Sequence, residues 1–235
     1  LLIASCWVLF AVVIGAAAEG QETHRYQSDF SAAELGARRA RVLDAIAEDS
    51  VALIQGAPNI RGFRRFRQTN TFYYLTGLEV PHAYLLLDGR SRRSTLYLPH
   101  RDERRERGEG KMLSAEDDEL VAALTGVDQV LPIERLGRDF YPLLLRPPAP
   151  VLWTPLSPAE EAAQSRDEML IGMGANVADP WGGLPSREGH FVALLSTRYP
   201  QFELRDLTGV IDEMRAVKSP AEIELIRRAS ELAGY

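Results

Sequence analysis

The stretch Phe66–Asp88, FRQTNTFYYLTGLEVPHAYLLLD, packs five aromatic residues, one arginine and a run of aliphatics into 23 positions. Gly77 and Pro81 punctuate it. Its apolar residues fall into two short runs on either side of that punctuation, the pattern of two strands joined by a turn. Phe72–Leu75 and Ala83–Leu87 are the strands this predicts, and on a strand Phe72 and Tyr74 share one face. Working outward, Val51–Gln55 reads as a buried strand closed by Gly56-Ala57-Pro58-Asn59, and Thr95–Leu98 as another. The link from Asp88 to Ser94 is short and polar, as in an antiparallel hairpin. The expected fold class is therefore α/β with a mixed sheet.

Helices frame these strands. Ser31-Ala32-Ala33-Glu34 has capping-box spacing, in which the serine oxygen accepts an amide N–H and the glutamate reaches back. Leu35, Val42, Leu43 and Ile46 follow at helical spacing, so Ser31–Asp49 is a predicted helix. Ser114–Leu124, stopped by Gly126, and Leu136–Leu145 read as helices, with strands at Val130–Ile133 and Val151–Trp153. Arg101–Lys111 mixes charges of both signs and reads as a solvated loop. Gly172–Gly189, rich in Gly and Pro and carrying Trp181, also reads as a loop. His190–Ser196 and Leu204–Met214 are predicted helices. Ser219-Pro220-Ala221-Glu222 repeats the capping-box spacing with proline at the first helical position, where its missing N–H costs nothing.

The chain has 235 residues, enough for one large domain or two smaller ones. Its net charge of −6 argues against nucleic acid as a partner, even though Arg61–Arg67 is a local basic-aromatic run. Leu1–Ala18 carries no charge, and small residues follow its apolar centre. This is the pattern of a secretory signal peptide, with a membrane anchor as the rival reading. Residues 1–20 are assigned to that segment, which implies an exported, periplasmic or extracellular protein. Cys6 is the only cysteine and lies within the segment, so the remainder has no thiolate to offer a metal or a disulfide.

The chemistry-bearing patterns are sparse. No Gly-x-Ser-x-Gly elbow occurs. His24, His82, His100 and His190 lack the spacing of a zinc helix; His82 and His100 each follow a proline and read as turn or surface residues. The acids at Glu116–Glu119 and Glu160-Glu161 read as solvated first turns of helices. No phosphate-cradling glycine loop is present.

Two separated segments carry a resemblance. Phe66-Arg67-Gln68-Thr69-Asn70-Thr71-Phe72-Tyr73-Tyr74-Leu75-Thr76-Gly77 resembles the FRQ-x-S/N-x-FYYLTG signature of the N-terminal domain of the Xaa-Pro aminopeptidase (aminopeptidase P) family. Val80–Ala83 and Leu96–Asp102 look like that domain's following strands and its loop. Met214–Ile223, MRAVKSPAEI, is similar to the R-x-V-K-S-P-x-E-I start of the family's catalytic domain.

The resemblance implies a mixed-sheet N-terminal domain of the creatinase/aminopeptidase P type over 29–200 and a linker over 201–218. The first helix of an α+β pita-bread domain would occupy 219–235. It implies a parent metallo-aminopeptidase that removes the residue before a penultimate proline, using two divalent metals, usually manganese, bound outside this fragment. On that reading the fragment alone is inactive and no catalytic or metal residue is carried over. Peptides with penultimate proline and a homo-oligomer, dimer or tetramer, are the implied partners. Arg67, Asn70, Phe72 and Tyr74 are the residues implied for substrate access or subunit contact, with core packing the alternative for Phe72 and Tyr74. A prolidase, a creatinase-like hydrolase and a non-catalytic binding homologue share the fold and are the competing identities.

Overall fold

The computed structural model describes residues 29–59, 65–148, 150–160, 165–183 and 185–234. The predicted signal segment 1–20, His24 and most of the basic run 61–67 lie outside these residues.

Six strands form one mixed sheet in the order β4-β3-β2-β1-β5-β6. The strands are β1 (Ser50–Gln55), β2 (Tyr84–Asp88), β3 (Arg93–Leu98), β4 (Gln129–Pro132), β5 (Val151–Thr154) and β6 (Leu204–Asp206). β2 is antiparallel to both β1 and β3, while β4, β5 and β6 pair in parallel. The β2–β3 pair is the predicted hairpin, with Asp88 opposite Arg93. Alternate residues enter two cores, as the pleat requires. Ala52, Ile54, Leu85, Leu87, Leu96 and Leu98 face one core, and Val51, Leu53, Leu86, Tyr97 and Leu152 face the other. Both faces are covered, which is why these strands read as continuous apolar runs.

The first core is roofed by α1 (Ala32–Ile46), α2 (Asn70–Thr76), α4 (Asp118–Thr125) and α8 (Thr208–Ala216). The second is closed by α5 (Leu136–Leu144) and α7 (Arg187–Arg198). There Phe140 stacks against Tyr199 and Phe202 at centroid separations of 5.1 and 5.5 Å. At the hairpin, Asp88 accepts two hydrogen bonds from Arg146, each 2.7 Å. The other α-helices among the described residues are α3 (Glu103–Glu109), α6 (Arg166–Ala178) and α9 (Pro220–Ala233).

Five expectations are overturned. Phe72–Leu75 is not a strand but the body of α2. Thr69 Oγ1 accepts from the Phe72 N–H at 3.3 Å, and Gly77, in the left-handed region at φ 67°, returns its N–H to the Tyr73 carbonyl at 2.7 Å. Phe72, Leu75 and Thr76 then lie at helical spacing on the buried face. The aromatic run favours a strand by propensity, but the two caps and the core above the sheet decide otherwise. Arg101–Lys111 is solvated yet helical, because Asp102 caps α3 and Arg105 pairs with Glu109 one turn on at 2.7 Å.

Gly172–Gly189 is not a loop throughout. The Ser165–Glu168 capping box starts α6, which runs to Ala178. Leu204–Met214 splits, since β6 pairs with β5 before Asp206 accepts from the Thr208 N–H (2.9 Å) and starts α8. Residues 201–218 are consequently no linker: they supply a strand to the sheet, and Leu207, Ile211 and Met214 are buried in the first core. A smaller correction concerns α1. Ser31 caps it as expected, but Glu34 turns away from the cap to meet Arg38 and Ser219.

Candidate functional site

The carboxyl ends of the parallel strands β1, β5 and β6 open onto a cleft, the place where open α/β sheets bind ligands. Counting its open mouth, the cleft measures about 450 Å³. Ile54 and Gln55 leave β1 into it and Thr154 leaves β5; Thr69 and Thr71 come from the start of α2; Arg166, Glu188 and Phe191 come from α6 and α7. Its lining mixes apolar side chains (Ile54, Pro155, Pro158 and Phe191) with the hydroxyls of Thr69, Thr71, Thr154, Ser157 and Thr208 and one charge of each sign, Arg166 and Glu188.

Beside the cleft lies a network that joins four elements. Glu160 accepts from Asn70 Nδ2 at 2.8 Å and from Arg215 Nη2 at 2.7 Å, and Arg166 Nη2 stands 3.4 Å from its other oxygen. Arg166 also donates to both oxygens of Asp212. Burial alone pushes the Glu160 carboxyl up; the hydrogen bonds from Arg215 and Asn70, with two nearby guanidinium charges, outweigh it and hold the group below its ordinary value. Arg166 Nε and Trp153 Nε1 are buried without a hydrogen-bond partner. Glu160 therefore differs from the solvated acid read in the sequence. Its two closer donors, Asn70 and Arg215, lie far along the chain, and no local signal in Pro158-Ala159-Glu160 announces them.

Of the four candidate residues, two reach the surface and two do not. Arg67 is exposed and pairs with Glu79 at 3.0 Å. Asn70 stands exposed at the first position of α2 and ties it to Glu160. Phe72 is 0% exposed, inside the first core. Tyr74 is buried with its hydroxyl donating to the Met214 carbonyl at 3.2 Å, and burial pushes that phenol up. The structure thus brings Asn70 to the cleft edge and Arg67 to the same helix entry, while Phe72 and Tyr74 build the core.

Two arginines missed in the sequence reading are among the most buried side chains. Arg39 donates to the Leu75 carbonyl (2.9 Å) and the Thr125 carbonyl (2.8 Å), tying α1 to the ends of α2 and α4. Burial lowers its pKa to about 10, so it stays charged at neutral pH. Arg38 donates to the Tyr74 carbonyl at 3.0 Å, with its guanidinium 4.2 Å from the ring centres of both Phe30 and Tyr74. Arg39 stands within the apolar stripe of α1, four residues after Leu35 and four before Leu43, and Arg38 stands at its edge, four before Val42; a charge at core spacing was the available signal.

The two cations implied by the resemblance find no converging donors here. Among the described residues no group of three or more His, Cys, Asp or Glu side chains is placed to hold a metal ion. His100 has carboxylates near both ring nitrogens, but its Nδ1 meets Glu116 at 2.5 Å while its Nε2 faces Glu134 at 3.4 Å, on opposite sides of the ring. These residues do not fit a metal pair.

The fold agrees with the comparisons to known proteins. The family described as Aminopeptidase P, N-terminal domain, matches residues 35–152, from α1 to β5, half of the chain. The chain belongs to that family. Xaa-Pro aminopeptidase 3 of Rattus norvegicus is 29% identical over 175 residues, covering 71% of this chain and 29% of the rat protein. The Xaa-Pro aminopeptidase of Escherichia coli K12 is 26% identical over 212 residues, covering 87% of this chain and 43% of that protein. Among solved structures, proline aminopeptidase P II from Yersinia pestis superposes with a TM-score of 0.59 at 27% identity, over 86% of this chain and 43% of that one. This chain spans about a quarter of the length of the fungal relatives it matches. The FYYLTG segment lies where α1, α2 and α8 meet above the sheet.

Proposed function

We propose that this chain is the N-terminal portion of a metal-dependent Xaa-Pro aminopeptidase, which removes the residue before a penultimate proline. The observation that carries the reading is the family match over 35–152 on a six-stranded mixed sheet. In this reading the α/β unit is the assembly and substrate-access domain. Two divalent metals, manganese in the family's usual case, sit in the part of the longer relatives that this chain does not align with. Such a pair would polarise the carbonyl and activate water. An Xaa-Pro bond, which lacks an N–H, suits a dedicated site of that kind.

Peptides are the substrates, and a homo-oligomer is the proposed assembly, with Arg67 and Asn70 the described candidates for contact with peptide or a second subunit. The exposure of both, and the place of Asn70 between the cleft residues Thr69 and Thr71, support that role. Phe72 and Tyr74 support it only indirectly, through the core. Export is proposed from the uncharged segment Leu1–Ala18. Among the described residues no helix is long and apolar enough to cross a membrane.

The test compares two purified proteins on an Xaa-Pro peptide with added manganese. One is this 235-residue chain, and the other is the same chain extended through the remainder of its reading frame. Turnover by the extended protein alone is expected. Cleavage by the 235-residue chain, or none by either, would overturn the reading.

A further inference from the structure

Helix α9 is attached to the molecule in an unusual way. It buries no residue, and Ile223 and Ile226 are about half exposed. Its fourteen residues are near the length at which an isolated helix is marginal in water. What holds it is polar. Ser219, its cap, donates its hydroxyl to Glu34 Oε1 at 2.6 Å, and the same oxygen accepts from Arg38 Nη2 at 2.6 Å. Glu222 in the first turn approaches Arg38 Nη2 at 3.6 Å, and further along Arg228 pairs with Asp29 at 3.0 Å.

The centre of this arrangement is the Arg38 guanidinium. Its Nη1 is anchored on the Tyr74 carbonyl, and its plane is clamped between the Phe30 and Tyr74 rings. A clamped planar fork points its remaining N–H groups in one direction, which a lysine ammonium cannot do. Tyr74 also holds the end of α8 through its hydroxyl on the Met214 carbonyl. Only Val217 and Lys218 separate α8 from the α9 cap, and Val217 is extended and 80% exposed. The two sides of that short joint are therefore held by one pair of stacked residues, Tyr74 on the α8 side and Arg38 on the α9 side.

We propose that Arg38 is a positioning residue. With Glu34 it forms a socket for the first turn of α9, so that a buried ion cluster and not apolar packing sets the direction in which the chain leaves the sheet. The consequence is separability. Breaking the socket releases α9 as a unit and leaves the sheet and both cores intact. This holds whatever reaction the protein serves, and so does not depend on the proposed peptidase function.

Hydrogen exchange on the full 235-residue chain tests it, comparing wild type with Arg38→Lys, Glu222→Gln and Arg227→Gln. Glutamine preserves the capping box at 222 but not the charge facing Arg38. Arg227→Gln removes only the exposed pair with Glu224 inside α9 and is the control. Amides over 224–233 are expected to exchange about tenfold faster in Arg38→Lys and several-fold faster in Glu222→Gln, with β1 and β5 amides unchanged. The control should stay within about twofold of wild type. Unchanged α9 exchange in both socket variants would overturn the proposal. So would equal acceleration in α9 and the strands, which would make Arg38 an ordinary core residue. If Arg38→Lys does not fold, Glu222→Gln decides alone, because Glu222 lies outside both cores.

Discussion

Helices α2 and α9 invert what local sequence would suggest. α9 has fourteen residues, a complete capping box and proline in its first turn, yet it buries nothing. α2 has seven residues, three of them aromatic, and buries Phe72, Tyr74, Leu75 and Thr76. The better-formed helix is the peripheral one, and the helix with strand-like composition is central. Capping and propensity contribute tenths to about 1 kcal/mol each, whereas a buried aromatic side chain contributes about 2–3 kcal/mol. Position above the sheet therefore dominates the contribution of each helix to stability.

The comparison breaks most readily at Phe72. Phe72→Ala should destabilise the chain by about 3–5 kcal/mol in urea unfolding. Ile226→Ala on α9 should change it by less than about 0.5 kcal/mol. Similar values for the two would end the contrast. Next in size is Arg39, whose removal leaves the carbonyls at the ends of α2 and α4 without donors. Arg39→Met should cost about 2–4 kcal/mol by the same measurement. A neutral result would show that packing alone fixes α2 on α1.

Gly77 sharpens the point about caps. Its φ of 67° disfavours any residue with a Cβ, so Gly77→Ala should cost about 1–2 kcal/mol in chemical unfolding. An equivalent alanine at Gly234, where φ is −85°, should be nearly neutral in the same experiment.

The smallest effect belongs to the surface pair His100–Glu116, remote from both helices. The hydrogen bond to Glu116 holds His100 above its ordinary value of 6.5, and the same bond holds Glu116 down at about 2, below its ordinary 4.5. The raised histidine contributes stability below 6.5 and loses it as pH climbs through its folded pKa. The depressed glutamate contributes above 4.5 and loses it as pH falls toward 2. The difference in melting temperature between wild type and His100→Ala should be largest near about pH 5.5 and close above about pH 8. A difference that is flat across that range would show that the pair does not form in solution.

Much of the sheet was legible in advance. β1, β2 and β3 follow from apolar runs bounded by Gly, Pro and Asp, and the β2–β3 hairpin from its short polar link. The helix starts at Ser31 and Ser219 follow from cap spacing, a signal contained within four residues. The errors cluster where both readings were locally plausible. Phe72–Leu75 had strand composition and helix caps together. Leu204–Met214 held a three-residue strand too short to show a period of its own. For the candidate site, the resemblance singled out Asn70 and Arg67, which the structure places at the surface, and gave no sign of Glu160 as the partner of Asn70.

By itself the sequence determined the α/β class, the principal strands, the capped helix starts at Ser31 and Ser219 and the family, because strands, caps and signature motifs are written in neighbouring residues. Only the tertiary structure decided that FYYLTG is a buried helix, that residues 201–218 complete the sheet, and that Glu160 is gripped by Asn70 and Arg215. It alone decided that Arg38 and Arg39 lie inside. Their partners include carbonyls 36 residues away, and Glu34 meets Ser219 across 185. Burying a guanidinium is costly unless such partners are in place, and their placement is a property of the folded chain.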